Sequence, residues 1–433
     1  MGRERFVVLG VARARSVWFR AVAQWATSSA IPAEFVKCVS AGEVRSLLRS
    51  GRTFSAALVD GTLPTVDRDL IAEAREAGCP VLVVDDGRNQ RDWLSLGATA
   101  VLPAAFDREH LIDALATHAL MVGVSDGAAL SGAAPAVLCE RFATVVAVCG
   151  PGGTGASTAA IALAQHIASD RDGNGPVLLA DLALRAEQAM LHDARDIVPG
   201  VQELVEAHRG RHPSPQEIHD LTFDVPERRY RLLLGLRRAR YWSTVRPRSF
   251  EAAFEGLRGT FATVVCDVTG DFEGEDEGGS ADVEERNIMA RTAVQKADVV
   301  VVVGAFGLKG MHALVRLVGD LLDAGVSASR LVPVLNAAPR NPKARAEASA
   351  AFFQLLAAPQ VTAIALAAPI FLPHRRVEAT LRDAAPVPAP LGSLLLGAVR
   401  ASLARNAHRA IPIAQPEAVV PGSLGIWAQD AAQ

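Results

Sequence analysis

The sequence contains very little lysine, and arginine carries most of its positive charge. Of 44 lysines and arginines, only Lys37, Lys296, Lys309 and Lys343 are lysines. The five cysteines form no Cys-x-x-Cys pair, which excludes the usual zinc-ligand spacing and argues against a disulfide framework. We therefore predict buried thiols in a reducing compartment.

Long apolar runs and basic tails are also absent. The longest mainly apolar segment, 297–308, is shorter than the roughly 20 residues that a bilayer needs, and the N-terminus is not a signal peptide. Residues 412–433 contain several prolines and no lysine or arginine, so they cannot form a basic membrane-binding helix. We predict a cytoplasmic protein that has no membrane-targeting helix of its own.

The charge balance gives little reason to expect nucleic acid as a partner. The formal net charge is −3, which provides no general attraction to polyanions. Five arginines between residues 237 and 248 form one local basic cluster beside Tyr241 and Trp242. A single cluster in an acidic protein is more often a solvated face, so the sequence carries no strong nucleic-acid signal.

Length and composition indicate two domains. The chain has 433 residues, half of them hydrophobic, and this is long for one domain. Short apolar strands alternate with helical stretches in both halves, which predicts an α/β protein with two doubly wound parallel sheets. We place the domains at 1–120 and 141–405, a flexible linker at 121–140, and a Pro/Ala-rich, poorly ordered tail at 406–433.

Strands and one acidic loop follow from the local pattern. The predicted strands are Phe6–Val11, Ala56–Val59, Val81–Val84, Ala100–Leu102, Thr144–Cys149, Val177–Ala180, Tyr230–Leu234, Thr263–Cys266, Val299–Val303 and Leu331–Leu335. The segment Gly270–Glu285 is acidic and glycine-rich, so we predict a solvated loop there.

The most informative motif is a glycine loop between a strand and an apolar helix, in Gly150–Thr158. The phosphate-binding pattern G-x-x-x-x-G-K-[ST] uses glycines to curl N–H groups around phosphate, lysine to neutralise charge and a hydroxyl to hold Mg²⁺. Here Gly150 and Gly155 have the right spacing, but Ala156 stands at the lysine position. A glycine-rich turn that binds nothing would have the same outline.

Three polar residues at strand ends extend this motif. Asp181 and Asp267 each end an apolar strand, and Asn336 follows another. Carboxylates at that edge of a parallel sheet can hold Mg²⁺ or its water shell, and an amide can read a base edge. Each of the three could also be an ordinary strand-end polar residue.

These residues resemble the MinD/ParA superfamily of deviant P-loop ATPases, most closely its CpaE/TadZ-like branch, which includes actinobacterial septum site-determining proteins. The resemblance covers about Arg141–Ala401. The family loop reads K-G-G-x-G-K-[ST]-[ST], and both lysines are replaced here, by Pro151 and Ala156. The GAST sequence that results recurs in the CpaE-like branch.

The resemblance implies a role for each site residue. Asp181 would activate the attacking water, Ser157 and Asp267 would bind Mg²⁺, and Asn336 would lie near adenine. The residues that would bind ATP are Gly152, Gly153, Thr154, Gly155, Ala156, Ser157, Thr158 and Asn336. The resemblance further implies a homodimer.

The missing lysines lead us to expect weakened ATP binding and weak or lost hydrolysis. Removing a charged partner of a phosphate costs about 1.5–3 kcal/mol, roughly ten- to a hundredfold in affinity. The implied function is a spatial regulator of septum-site determination and cell division, recruited to the septum or pole by a partner of the division machinery. Two alternatives stay open: localisation of Tad/Flp pilus machinery, and a nucleotide-independent dimeric scaffold.

The first 120 residues resemble a degenerate CheY-like receiver domain. Asp60 stands where the phosphoacceptor ends the third strand, but the turn after the first strand has no acidic pair. Asp85 and Ala104 replace the switch hydroxyl and the lysine. We therefore expect Asp60 not to be phosphorylated and the domain to serve in docking or dimerisation.

Overall fold

The computed structural model describes residues 5–13, 16–88, 91–122, 143–170, 175–274, 280–356, 366–383 and 385–409. Within them the chain forms two separate, mainly parallel sheets covered by helices on both faces, so the predicted fold class is confirmed. Most of the predicted linker (123–140) and tail (410–433) lies outside the described residues.

The N-terminal sheet has the strand order β2-β1-β3-β4-β5, all parallel. Its strands are β1 Phe6–Val11, β2 Ala33–Cys38, β3 Ala56–Asp60, β4 Val81–Asp85 and β5 Ala100–Pro103, and its helices are α1 Val17–Thr27, α2 Ala41–Arg49, α3 Arg68–Glu76 and α4 Arg108–His118. This order is one of the two common doubly wound arrangements.

The link between β4 and β5 departs from regular alternation. No helix occurs there among the described residues; residues 93–97 form turns instead. Trp93 and Leu96, in this turn, are buried in the core between the sheet and helices α2 and α3. Helices α1 and α4 cover the other face of the sheet. Two large apolar side chains thus fill the place that a helix would occupy.

The C-terminal sheet has eight strands in the described part of the chain, in the order β13-β12-β11-β6-β10-β7-β9-β8, with only β8 antiparallel. Its strands are β6 Thr144–Gly150, β7 Val177–Asp181, β8 Phe223–Val225, β9 Tyr230–Leu233, β10 Thr263–Thr269, β11 Val299–Ala305, β12 Leu331–Ala338 and β13 Ile370–Pro373. Its helices are α5 Ala156–Ser169, α6 Gln188–Leu191, α7 Val201–Arg209, α8 Pro215–Asp220, α9 Pro247–Thr260, α10 Ala281–Lys296, α11 Leu308–Asp323, α12 Pro342–Leu356, α13 Glu378–Arg382 and α14 Ala389–Arg409.

Helices on both faces explain why the strands are apolar throughout. Successive side chains of a strand point to opposite faces. Along β6, Val145 and Ala147 face the layer of α7 and α9–α12, whereas Val146 and Val148 face α5 and α14. Both sets are buried, as expected for a parallel sheet. The four described cysteines are free and buried; Cys139 lies outside the described residues.

Two boundaries differ from the sequence-based expectation. The acidic segment does not remain a loop to its end, because α10 begins at Ala281, with Asp282 and Glu284 in its first turn. Carboxylates at that position interact favourably with the helix dipole. At the other end of the domain, α14 runs to Arg409 and so passes residue 405. No described helix is long and apolar enough to cross a membrane.

The two domains contact each other through the start of α3. Asp69 accepts hydrogen bonds from the Arg248 backbone N–H (2.9 Å) and the Ser249 hydroxyl, at the N-terminus of α9. The Arg68 guanidinium donates to the carbonyl of His208 (3.2 Å) near the C-terminus of α7, and Arg209 pairs with Asp67 at 2.8 Å. The N-terminal domain thereby satisfies helix-end groups of the C-terminal domain.

Candidate nucleotide site

The glycine loop lies between β6 and α5, at the carboxyl edge of the larger sheet. Gly153 and Gly155 have φ angles of +78° and +88°, a backbone region that other L-residues adopt at a cost. A Cβ at Gly155 would also lie 2.5 Å from Asn336 Nδ2. Glycine is therefore required at position 155 by both backbone conformation and space.

The N-terminus of α5 supplies the electrostatics of the loop. Its N-cap is Gly155, which has no side chain to bond the free N–H groups of the first turn. Those N–H groups, together with the helix dipole, favour an anion. Gly152 and Gly153 are exposed, so the loop is open to solvent. Pro151 and Ala156 carry no charge, so the backbone of the loop supplies positive potential where the two family lysines would.

Thr154 and Asn336 hold the loop in shape. The Thr154 hydroxyl donates to the Pro151 carbonyl (2.7 Å), and Asn336 Nδ2 donates to the Thr154 carbonyl (2.8 Å). Asn336 Oδ1 accepts from the Ala337 N–H at 2.8 Å. Asn336 therefore lies against the loop, with both ends of its amide bonded to protein groups in this structure.

Asp181 and Asp267 lie side by side on neighbouring strands. They are direct partners in the register of β7 and β10, and they are 0% and 3% exposed. Asp181 accepts from the N–H groups of Ala183 (3.3 Å) and Gln188 (2.9 Å). Burial, and next the charge of Asp267, raise the pKa of Asp181; burial also raises the pKa of Asp267.

Gln188 is a site residue that the sequence did not reveal. It is fully buried at the start of α6, and its Nε2 donates to Asp267 Oδ2 at 2.7 Å. Its only sequence signal is a polar residue shortly after Asp181, in a segment where polar residues are common. Its importance comes from the bend of the chain after β7, which brings it back over both carboxylates.

The oxygen atoms at this edge fit a hard cation. Ser157, at the start of α5, lies near Asp267 and opposes part of the rise in its pKa that burial causes. Magnesium prefers carboxylate, carbonyl, hydroxyl and water oxygens, and Asp267, Ser157 and Gln188 supply such atoms together. Among the described residues no three histidine, cysteine or acidic side chains cluster as metal ligands, so a cation here would draw on neutral oxygens as well.

Asp60 belongs to a different place in the molecule, the end of β3 in the N-terminal sheet. Its carboxylate accepts from the Thr62 N–H (2.9 Å), the Thr62 hydroxyl (2.6 Å) and more weakly the Arg13 N–H (3.4 Å). These bonds stabilise the turn after β3. The side chain of Arg13 donates to the Thr62 carbonyl, so a basic residue of the turn after β1 lies beside Asp60.

Solved structures with a similar fold are ATPases of the ParA and MinD type. A ParA family ATPase from Chlorobium tepidum TLS is 15% identical, with a TM-score of 0.42 over 60% of this chain and 95% of that one. An ATP complex of a variant of McdA from Cyanothece is 17% identical (TM-score 0.42; 61% and 97% covered). The cell division ATPase MinD of Pyrococcus furiosus is 15% identical (TM-score 0.42; 59% and 99% covered).

Sequence comparisons add nothing to this likeness. No protein-family model and no curated protein matches the chain. Similarity at this level assigns no activity to the chain.

Proposed function

We propose that the chain binds ATP at the loop between β6 and α5 and acts as a spatial regulator of the MinD/ParA type. The observation that carries the proposal is the pair of left-handed glycines, Gly153 and Gly155, leading into the uncapped N-terminus of α5. This arrangement lies at the carboxyl edge of a parallel sheet, where α/β proteins bind their ligands.

Different groups of the site would hold the phosphates and the Mg²⁺ of Mg–ATP. The backbone N–H groups of residues 152–158 would hold the phosphates, and Ser157 and Asp267 would hold Mg²⁺, which neutralises phosphate charge when bound. Asp181 is the proposed base, but burial and its bonds to two N–H groups keep it from solvent in this conformation. Because phosphoryl transfer depends on positioning and charge neutralisation, a loop without lysine supports binding better than turnover.

We propose septum-site determination as the biological role, with the chain acting in the cytoplasm as a homodimer that a partner recruits to the septum or pole. Placement of Tad/Flp pilus machinery is the alternative, since the GAST sequence of the loop recurs in a branch that includes both roles. Genes for a pilus secretion ATPase and a prepilin next to the gene for this chain would favour the pilus role over the septum role. The uncharged loop also favours a second function, a dimeric scaffold that needs no nucleotide.

Calorimetric titration of the full chain with Mg–ATP tests the proposal. We expect measurable binding that Gly155→Ala weakens at least tenfold, because alanine is strained at this φ and meets Asn336. Gly319→Ala is the matched control, since a Cβ there meets nothing within 4 Å. Ala156→Lys should tighten binding roughly ten- to a hundredfold by restoring a charged phosphate partner.

Phosphate release measured on the same proteins separates the remaining functions. Release that Asp181→Ala abolishes would make the chain a working ATPase. No binding at millimolar ATP by the unmodified chain or by Ala156→Lys would contradict the proposal and leave the scaffold.

A further inference from the structure

Gln188 links the two buried carboxylates of the candidate site. Its backbone N–H donates to Asp181 Oδ2 at 2.9 Å, and its side-chain Nε2 donates to Asp267 Oδ2 at 2.7 Å. The residue is 0% exposed. One residue therefore contacts both of the groups on which the proposed chemistry depends.

The other end of the Gln188 amide has no partner. No group among the described residues donates a hydrogen bond to Oε1, although this atom is fully buried. A buried carbonyl oxygen normally accepts a hydrogen bond, and each exception calls for a physical reason. Because Oε1 and Nε2 share one carbon, the unpartnered oxygen is held beside Asp267.

The main chain of Gln188 is anchored on both sides, so this placement is not accidental. Its carbonyl accepts from His192 Nδ1 at 2.7 Å, and His192 Nε2 accepts from the Tyr230 hydroxyl at 2.6 Å. An imidazole with one ring N–H can donate from one nitrogen while accepting at the other. The chain from Asp181 to Tyr230 keeps the amide at the site.

We propose that Gln188 Oε1 is an oxygen donor of the divalent-cation site, facing the cation or a water bound to it. Asp267 and Ser157 supply the neighbouring oxygens, and Nε2 keeps Asp267 oriented toward the same place. Amide oxygens are normal ligands of hard cations and of their water shells. This inference rests on the proposed function for the identity of the site, but it concerns the cation alone.

Binding of Mn²⁺ to the full chain without nucleotide, followed by the electron paramagnetic resonance signal of free Mn²⁺, tests the inference. Gln188→Met keeps the length of the side chain but has neither amide atom, and we expect it to weaken Mn²⁺ binding at least fivefold. Gln188→Glu loses the Nε2 donor but keeps an oxygen and adds charge, so it should tighten binding at least tenfold. Gln216→Glu, on exposed α8, adds the same charge elsewhere and should change nothing.

Opposite effects of the two variants separate a cation ligand from a purely structural residue. If Gln188 only holds Asp267 through Nε2, both variants weaken Mn²⁺ binding, and the inference is wrong. It is also wrong if Gln188→Met binds within twofold of the unmodified chain, or if no variant binds Mn²⁺ at millimolar concentration. Circular dichroism checks the fold of each variant. If Gln188→Glu does not fold, the Mn²⁺ affinity of Gln188→Met alone tests the inference. Failure of ATP binding with Mn²⁺ binding intact would instead count against the proposed function.

Discussion

Two carboxyl groups buried beside each other, as Asp181 and Asp267 are, cannot both ionise without a large electrostatic penalty. Burial raises the pKa of each, and Asp181 also feels the charge of Asp267. A carboxyl that holds its proton cannot act as a base, so the role proposed for Asp181 would require it to lose that proton first. A bound cation favours the ionised forms, so the proposed Mg²⁺ would have a second effect besides neutralising phosphate.

The raised pKa of Asp181 predicts that stability falls as the pH rises. The folded chain holds this proton above the ordinary aspartate pKa of about 4, so the stabilisation is complete below that pH and is lost as pH rises toward the raised pKa. His192 and His208 have pKa values lowered to about 4; they oppose this trend only up to the ordinary histidine pKa of about 6.5. Above about pH 6.5 these two histidines therefore no longer oppose the effect of Asp181 on stability.

We expect the free energy of unfolding to fall by up to about 2 kcal/mol between about pH 6.5 and 8. Asp181→Asn should flatten this decline, because asparagine has no proton to lose. Urea denaturation at a series of pH values measures both slopes. Equal slopes for the two proteins would show that Asp181 does not hold its proton in the folded chain.

At the scale of elements, strands that are buried on both faces were predictable, whereas the edge strands β2 and β8 were not. β11 begins with a run of valines, and a fully apolar segment of this kind indicates a buried strand or a buried helix. β2 (AEFVKC) is an edge strand with several half-exposed residues, and its mixed pattern hides it. β8 has three residues, too few for any periodicity.

The candidate site shows the same limit. The spacing of its glycines predicts the loop, and the apolar runs before Asp181 and Asp267 predict that both lie at one sheet edge. Gln188 was not predictable, because its contacts depend on how the segment between β7 and α7 folds back. Sequence periodicity describes regular elements and contains no information on such a segment.

Arg228 connects elements that are distant in the sequence. It is 0% exposed and donates to the carbonyls of Leu191, Thr380 and Ala385. Within the described chain no carboxylate forms an ion pair with it. Planar, forked donors can satisfy three carbonyls in different directions, which a single ammonium group cannot.

We therefore predict that Arg228→Lys lowers the free energy of unfolding by about 2–4 kcal/mol, because buried carbonyls lose charged donors. Urea denaturation followed by circular dichroism measures the change. Arg229→Lys is the control, since the neighbouring arginine is exposed. A loss below about 0.5 kcal/mol, the usual range for surface substitutions, would mean that lysine satisfies the same carbonyls.

At the scale of the whole molecule, the N-terminal domain acts as a set of helix caps for its neighbour. α9 begins with an N-cap that makes no side-chain hydrogen bond, Arg246, and Asp69 from α3 takes over that task. α7 and α9 border the chain segments that lead from Gln188 and into Asp267. The contact surface therefore adjoins the elements that position the candidate site. In the sequence, Asp67 and Asp69 look like ordinary surface acids at a helix start.

Replacing Asp69 should loosen the contact between the domains. Asp69→Ala removes the acceptor for the Arg248 N–H and the Ser249 hydroxyl, and losing a helix cap costs about 1 kcal/mol. Small-angle X-ray scattering should report a larger radius of gyration, and trypsin should cleave the chain between the domains faster. Asp113→Ala, an exposed acid on α4, should leave both measurements unchanged. If Asp69→Ala also leaves them unchanged, other contacts, such as Arg209 with Asp67, Arg248 with Glu76 and Arg68 with the His208 carbonyl, are sufficient to hold the domains together without the cap.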